Sequence, residues 1–394
     1  MKILKLFFFL LLVMAAVAAS IQYLYCPAYR FPEPKPFSGN KIFNPYHEMD
    51  SACWKKANFH LHTRSWGGLT SGKKNSEFAV DSIYRYLNYD IIGISDYQHI
   101  NTYRQHQRDF VPVYEHGFFP PKNHHLMIGA KNVCWYDFPF PQTLNNEQFI
   151  ISALKEDTSC IVTIAHPRMR KAYAANDMKY LTGYDCMEVF DYLCYSVAHW
   201  DSALSGGRIV YALGDDDNHD ITDRFLVGMV CNFINVKEFK RDVIVNALRQ
   251  GQTFVCEPNM GNDDQFPDKR AYALTLPVVK KIAVENNQLK IRTDGKVSFY
   301  KFIGQSGSVR KIIRNSNEAV YDIQPDDSYI RAEIHFTDLT VYYLNPVFRY
   351  DGEQPQNPAA AIDKMTTIIQ RILFYFSLAG IILLSVIYFR KKIR

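Results

Sequence analysis

Between residues 57 and 256 short apolar runs alternate with stretches of helical period. Ala57–His62, Asp90–Ser95, His125–Gly129, Cys160–Ala165, Cys186–Phe190, Arg208–Leu213 and Phe225–Asn232 predict strands. Ser76–Tyr89, Glu147–Asp157 and Lys237–Gln250 predict amphipathic helices, the last stopped by Gly251. Strands apolar throughout, alternating with helices, imply a parallel sheet covered on both faces, open or closed into a barrel. The strand ends favour closure. They run out into His60 and His62, Asp96, Lys131, His166, Glu188 and Asp191, and the segment Asp215–His219. In a β/α barrel the C-terminal ends of several strands build one site. The expected fold class is α/β, a distorted TIM-like β/α barrel over 57–256.

From about 271 the texture changes. IAVENNQLKIRTD, KVSFYKFIG, VRKIIRN, EAVYDI and SYIRAEIHFT alternate apolar and polar residues between turns, with no helical period. They predict a small antiparallel, β-sandwich-like domain over 271–350. Residues 27–56 read as an extended lead-in rich in Pro and Asn, and 351–371 as a polar linker.

Both termini are apolar. Lys2 and Lys5 precede a long run ending near Cys26, which is a signal peptide with Ala16-Val17-Ala18 as its cleavage site, or an N-terminal anchor. Ile372–Phe389 carries no charge, and the basic tail 390–394 follows at once, the pattern of a transmembrane helix with a cytoplasmic tail. The expected location is the inner membrane of a two-membrane bacterium, main domains facing the periplasm. The membrane is then a partner through an integral anchor.

Charge adds an exclusion. There are 45 basic against 40 acidic residues, a formal +5, and part of the excess lies in the tail. Such balance argues against a dedicated nucleic-acid binder. The 8 cysteines form no CxxC pair, so a zinc ribbon or thioredoxin-like motif is unsupported.

The histidines carry the chemistry. His60 and His62 stand two apart in a strand, so both imidazoles face one side and can reach one ion. Asp217-Asn218-His219 repeats that spacing directly after the apolar IVYAL. His166-Pro167 ends a third strand. Taken alone, His166 reads as a core histidine; with the others it reads as a ligand.

The order HLHT, GISDY, IGAKN, IAHP, ALGDDDNH resembles the PHP family, named for polymerase and histidinol phosphatases, over roughly residues 57–256. The resemblance implies a distorted β/α barrel with divalent metals at the strand ends and phosphoester hydrolysis. The anchored layout and the added β-domain resemble a cell-envelope subgroup. It further implies His60, His62 and Asp217 as ligands of one metal and His166 of a second. His219, with a His after Asp96, would serve a third. The chain departs from that pattern: Gly68 stands where an Asp is usual, Tyr97 follows Asp96 in place of His, and the bridging Glu falls on Lys131. An ammonium in a bridging position repels both cations. The resemblance then implies a reduced centre with one ion of zinc, manganese or iron, or none.

Asp96 and Lys131 are the candidate catalytic residues, and His99 is a candidate substitute ligand. Lys131 either neutralises a phosphate or is an exposed loop lysine. The partner is a small-molecule phosphate ester or an unknown ligand. The expected function is a metal-dependent phosphoesterase-like hydrolase, or alternatively a non-catalytic binding or scaffolding module on the same fold.

Overall fold

The computed structural model describes residues 21–119, 122–191, 194–259 and 265–393, with Phe7, Phe8, Leu11 and Met14. Most of the N-terminal signal or anchor segment lies outside the described residues.

The first nine strands are β1 (Trp54–Asn58), β2 (Ile91–Ile92), β3 (Val113–His116), β4 (His125–Ile128), β5 (Ile161–Ile164), β6 (Cys186–Phe190), β7 (Tyr211–Gly214), β8 (Cys231–Asn235) and β9 (Thr253–Glu257). Among them lie helices α1 (Glu77–Tyr86), α2 (Leu144–Leu154), α3 (Val197–Ser205) and α4 (Arg241–Arg249). The caps explain two helix starts. Ser76 accepts a hydrogen bond from the Ala79 amide, and Thr143 closes a capping box with Asn146. Helix α3 carries no marked amphipathic pattern and was not expected.

Strands β3-β4-β5-β6-β7 form one five-stranded sheet. Pairs β5–β6 and β6–β7 are parallel, as expected, but β4 runs antiparallel to both β3 and β5. Residues 117–124 alone join β3 to β4, too few for the crossover that a parallel pair requires. The closed barrel is not seen: among the described residues no sheet closes on itself. β1 and β2 belong to a second sheet, and isolated parallel bridges, Tyr97 to Glu115 and Leu61 to Asn218, link the two. The fold is mixed α/β.

Helix α5 (Phe266–Ala273) precedes β10 (Val279–Glu285), β11 (Gln288–Thr293), β12 (Val297–Gly304), β13 (Ser308–Arg314), β14 (Glu318–Asp322), β15 (Tyr329–Phe336) and β16 (Val341–Tyr350). The second sheet has the order β13-β12-β15-β16-β9-β8-β1-β2, with Lys41–Phe43 pairing on β16. Phe254 of β9 lies opposite Leu344 of β16, so the sheet runs unbroken from the C-terminal strands to the strand that carries the HLH segment. β10, β11 and β14 make a separate three-stranded sheet.

Packing follows the helix faces. Val80 and Tyr84, four apart on α1, are buried in the same cluster as Ile334 and Tyr342. On α2, Ile150, Ile151 and Leu154 pack with Val162 and Met187 of the five-stranded sheet, and Trp200 and Leu204 of α3 join them. Ile244 and Leu248 of α4 pack with Phe59, Ile128 and Leu213. Each such side chain contributes about 1.5–3 kcal/mol by burial, so the strand ends beneath the site are held rigidly.

The last helix, α6 (Lys364–Ile393), contains Lys364–Leu384, long and apolar enough to cross a membrane, with mean hydropathy 1.9. Its apolar side chains stand clear of the protein, Phe376 at 74 % and Leu384 at 68 % exposure.

Candidate metal centre

The strand ends converge on one buried cluster. His60 and His62 follow β1, Glu115 sits in β3, His166 follows β5, Glu188 sits in β6, and Asp217 and His219 follow β7. His124 arrives from the opposite direction, at the N-terminal end of the reversed strand β4.

Glu115 is the hub. Its Oε2 lies 3.2 Å from His62 Nε2, and its Oε1 lies 3.2 Å from His166 Nε2, 2.5 Å from His124 Nδ1 and 3.5 Å from His60 Nε2. Asp217 faces it. Asp217 Oδ1 lies 3.1 Å from His60 Nε2, 3.2 Å from His62 Nε2 and 3.1 Å from His219 Nε2. These approaches are close, yet His60 Nε2, His62 Nε2, Glu115 Oε2 and Asp217 Oδ1 form no directed hydrogen bond. Buried polar atoms are almost always paired. Here they converge instead, which is the arrangement of ligands around a cation.

Two overlapping groups fit that role: His60, His62 and Asp217, and His60, Glu115 and His166, the ligand atoms of each within 4.8 Å of one another. His60 has one nitrogen to give, because its Nδ1 meets Glu188 Oε1 at 2.9 Å. With His60 committed to His62 and Asp217, the second group keeps Glu115 and His166, and Glu115 ties His124 to it. The nitrogen and carboxylate donors suit zinc, manganese or iron.

Charge supports the fit. Burial opposes ionisation of Glu115 and Asp217, but the surrounding imidazoles hold both carboxyls well below their ordinary range. Burial likewise pulls His60, His62 and His166 down, and the neighbouring carboxylates more than offset it, leaving all three raised. His124 goes the other way. Burial brings it to about 4 despite Glu115, so it is a neutral imidazole at pH 7.

The backbone is bent to present these groups. His166 and Asp217 have φ of 29° and 46°, a left-handed region that β-strand residues avoid. The acidic run divides its labour. Asp215 accepts from the Phe59 amide at 2.6 Å, and Asp216 accepts from the Tyr84 hydroxyl at 2.6 Å and the Gly228 amide at 2.7 Å. Those two carboxylates fix the turn, and Asp217 alone reaches the cluster.

Other sequence candidates fall elsewhere. Asp96 is buried, but its oxygens accept from the Thr63 amide at 2.7 Å, the Thr63 hydroxyl at 2.8 Å and Asn101 Nδ2 at 2.8 Å, so it braces the loop after His62. His99 is exposed beside Trp66, 6.3 Å between ring centroids, and belongs to neither ligand group.

Lys131 takes the second of its two readings, the exposed loop lysine. It is exposed, and its amide donates to Asp157 Oδ2 at 3.0 Å, away from the cluster. Because β4 is reversed, the C-terminal end of that strand points away from the other strand ends. Glu115 and His124, from β3 and the start of β4, lie in the cluster instead. Neither is announced by a motif. The signal that could have found them is the short link between the segments 110–114 (FVPVY) and 125–128 (HLMI), too close for parallel pairing.

Tyr97 closes the outer side. Its ring stacks on His62 at 4.6 Å and 27°, and Trp66 Nε1 donates to its carbonyl at 2.7 Å. Burial and Glu115 push its phenol far up, so the hydroxyl stays protonated.

No protein-family model matches the chain, and no curated protein matches it. Solved structures similar to the chain include the following two. One is a two-domain protein from Bacteroides vulgatus described as containing a predicted PHP-like metal-dependent phosphoesterase. It is 13 % identical, with TM-score 0.40, covering 82 % of this chain and 98 % of that one. The other is PsfC from Pseudomonas syringae, 11 % identical, with TM-score 0.34, covering 56 % of this chain and 96 % of that one.

Proposed function

We propose that this chain is a metal-dependent phosphoesterase-like hydrolase on a PHP-type fold. The observation that carries the reading is the convergence of partnerless donor atoms from His60, His62, Glu115 and Asp217 in a fully buried centre. His60, His62 and Asp217 would hold one cation, and Glu115 would bridge to a second on His166 and His124. A divalent cation held there supplies Lewis acidity and positive charge toward a phosphoryl oxygen. Glu188 holds His60 in the tautomer that presents Nε2, and Tyr97 keeps bulk water from the outer face of His62. His219, partly exposed, stands at the mouth, where it can donate to an oxygen of the substrate. The substrate class is a small phosphate ester. The C-terminal helix would anchor the protein in the inner membrane, its body in the periplasm and its tail in the cytoplasm.

The test is elemental analysis of the full chain in detergent after loading with zinc, manganese or iron, joined to a screen of phosphate mono- and diesters. About two ions per chain and hydrolysis abolished by His60→Ala are expected. Less than about a tenth of an ion per chain sinks the reading.

A non-catalytic binding module is the second reading, and the Tyr97 ring lying over His62 favours it. It expects metal binding without hydrolysis of any ester, and cellular function that survives His60→Ala.

A further inference from the structure

Three cations stand at one remove from the buried histidines. Arg64 lies two residues beyond His62, Lys122 two before His124, and Arg168 two beyond His166. Two residues of chain span at most about 7 Å, so the backbone of each cation lies close to that of a buried histidine although the three come from separate segments. Among the described residues none of the three takes part in an ion pair, and Glu115 and Asp217 meet the buried histidines.

Lys122 is the most enclosed of the three, while Arg64 and Arg168 are exposed and each keeps one neighbour. Lys122 is half-buried, its Nζ 5.4 Å from the centre of the Tyr97 ring, the same ring that stacks on His62. Its backbone is left-handed at φ 64°, and its carbonyl accepts from the His124 amide at 2.8 Å, which ties its position to the ligand. The Arg64 guanidinium packs on the turn at Gly68, where an added Cβ would come within 3.4 Å of Nε. Arg168 Nη1 donates to the Tyr195 carbonyl at 3.4 Å. A lysine or arginine tied into a turn loses less freedom on meeting an anion than one waving in solvent.

We propose that Arg64, Lys122 and Arg168 form an anion-binding rim that selects phosphate esters carrying a second negatively charged group, a carboxylate or another phosphate. The inference rests on the reading of the buried centre as the place where the phosphoryl group is held. There the phosphoryl oxygens meet the centre's own donors, and the rim is left for charge a few bonds away. A neutral alcohol as leaving group would leave three cations without a partner in the bound state.

The probes are methyl phosphate and phosphoglycolate, which differ by one carboxylate. Their binding to the manganese-loaded full chain in detergent is measured by calorimetry. Phosphoglycolate is expected to bind about tenfold more tightly, the scale of one charge-assisted contact. The gap should close in the variant R64A/K122A/R168A, with metal content and methyl phosphate affinity retained, and Lys122→Arg should keep it. Equal affinity for the two probes, or a gap that persists in the triple variant, overturns the proposal. Absence of hydrolysis, with the phosphoglycolate preference intact and rim-dependent, counts against the hydrolase reading and leaves the rim standing.

Discussion

Glu188 grips His60 from behind, Oε1 to Nδ1 at 2.9 Å, while its other oxygen accepts from the His166 amide at 2.9 Å. One carboxylate thus holds histidines that follow two different strands. Removing the charge with Glu188→Gln should weaken metal binding by about 10–100-fold, as loss of a partner behind a ligating histidine does. Competition with a graded chelator reads this directly. Unchanged affinity would mean that His60 is oriented by packing alone.

Acidity should act on metal binding through the same histidines. In the metal-free chain His60, His62 and His166 have pKa values raised above 6.5 by their carboxylate neighbours. A raised histidine contributes stability that is present below 6.5 and lost as pH rises through its folded value. The metal-free protein should therefore lose stability as pH rises above about 6.5, because the unfolded chain releases these protons while the folded one still holds them. Added metal should restore it, since protons no longer compete. Thermal unfolding with and without chelator at pH 6 and pH 8 checks the sign: the metal-induced rise in Tm should be larger at pH 8.

Glu147 makes a contrasting prediction away from the centre. Burial, with help from Asp177, raises its carboxyl to about 8, and its Oε2 has no hydrogen-bond partner. A raised carboxyl contributes stability that is present below its unfolded value of 4.5 and lost as pH rises through 8. Glu147→Gln removes that dependence. Urea titrations should find the variant close to the parent at pH 4.5 and increasingly more stable toward pH 8.5. A constant difference across that range would show that Glu147 is not buried as a neutral acid.

The body of the protein depends on a buried ion pair as well. Arg331 on β15 meets Asp201 on α3 through Nε at 2.8 Å and Nη2 at 2.9 Å, and its Nη1 reaches Glu333 at 2.9 Å. Arg331→Met strands Asp201 in a nearly water-free setting and should cost about 3–5 kcal/mol. The double variant with Asp201→Asn should recover part of that loss in denaturant unfolding. If the single variant is as stable as the parent, the pair contributes nothing net.

Local sequence determined a definite share of this protein. Strand alternation put His60 and His62 on one face, and the apolar run before the acidic segment brought Asp217 and His219 to a strand end. The break at Pro167 left His166 at a strand end beside them. The apolar C-terminal run is a helix because nothing in it interrupts helical hydrogen bonding. Those are consequences of neighbours in the chain, so the chain alone discloses them.

Tertiary structure decided the rest. Whether His125–Gly129 runs with or against its neighbours is invisible in its own residues; it is set by the short link 117–124 and by which edge of the sheet is free. That one direction moved the site from Lys131 to His124 and brought in Glu115, a residue without any motif around it. The same holds for the acidic run, where Asp215, Asp216 and Asp217 are chemically identical and only their partners separate two structural carboxylates from the one that meets the buried histidines. A metal centre is defined by the convergence of distant side chains on one point, and convergence is a property of the fold.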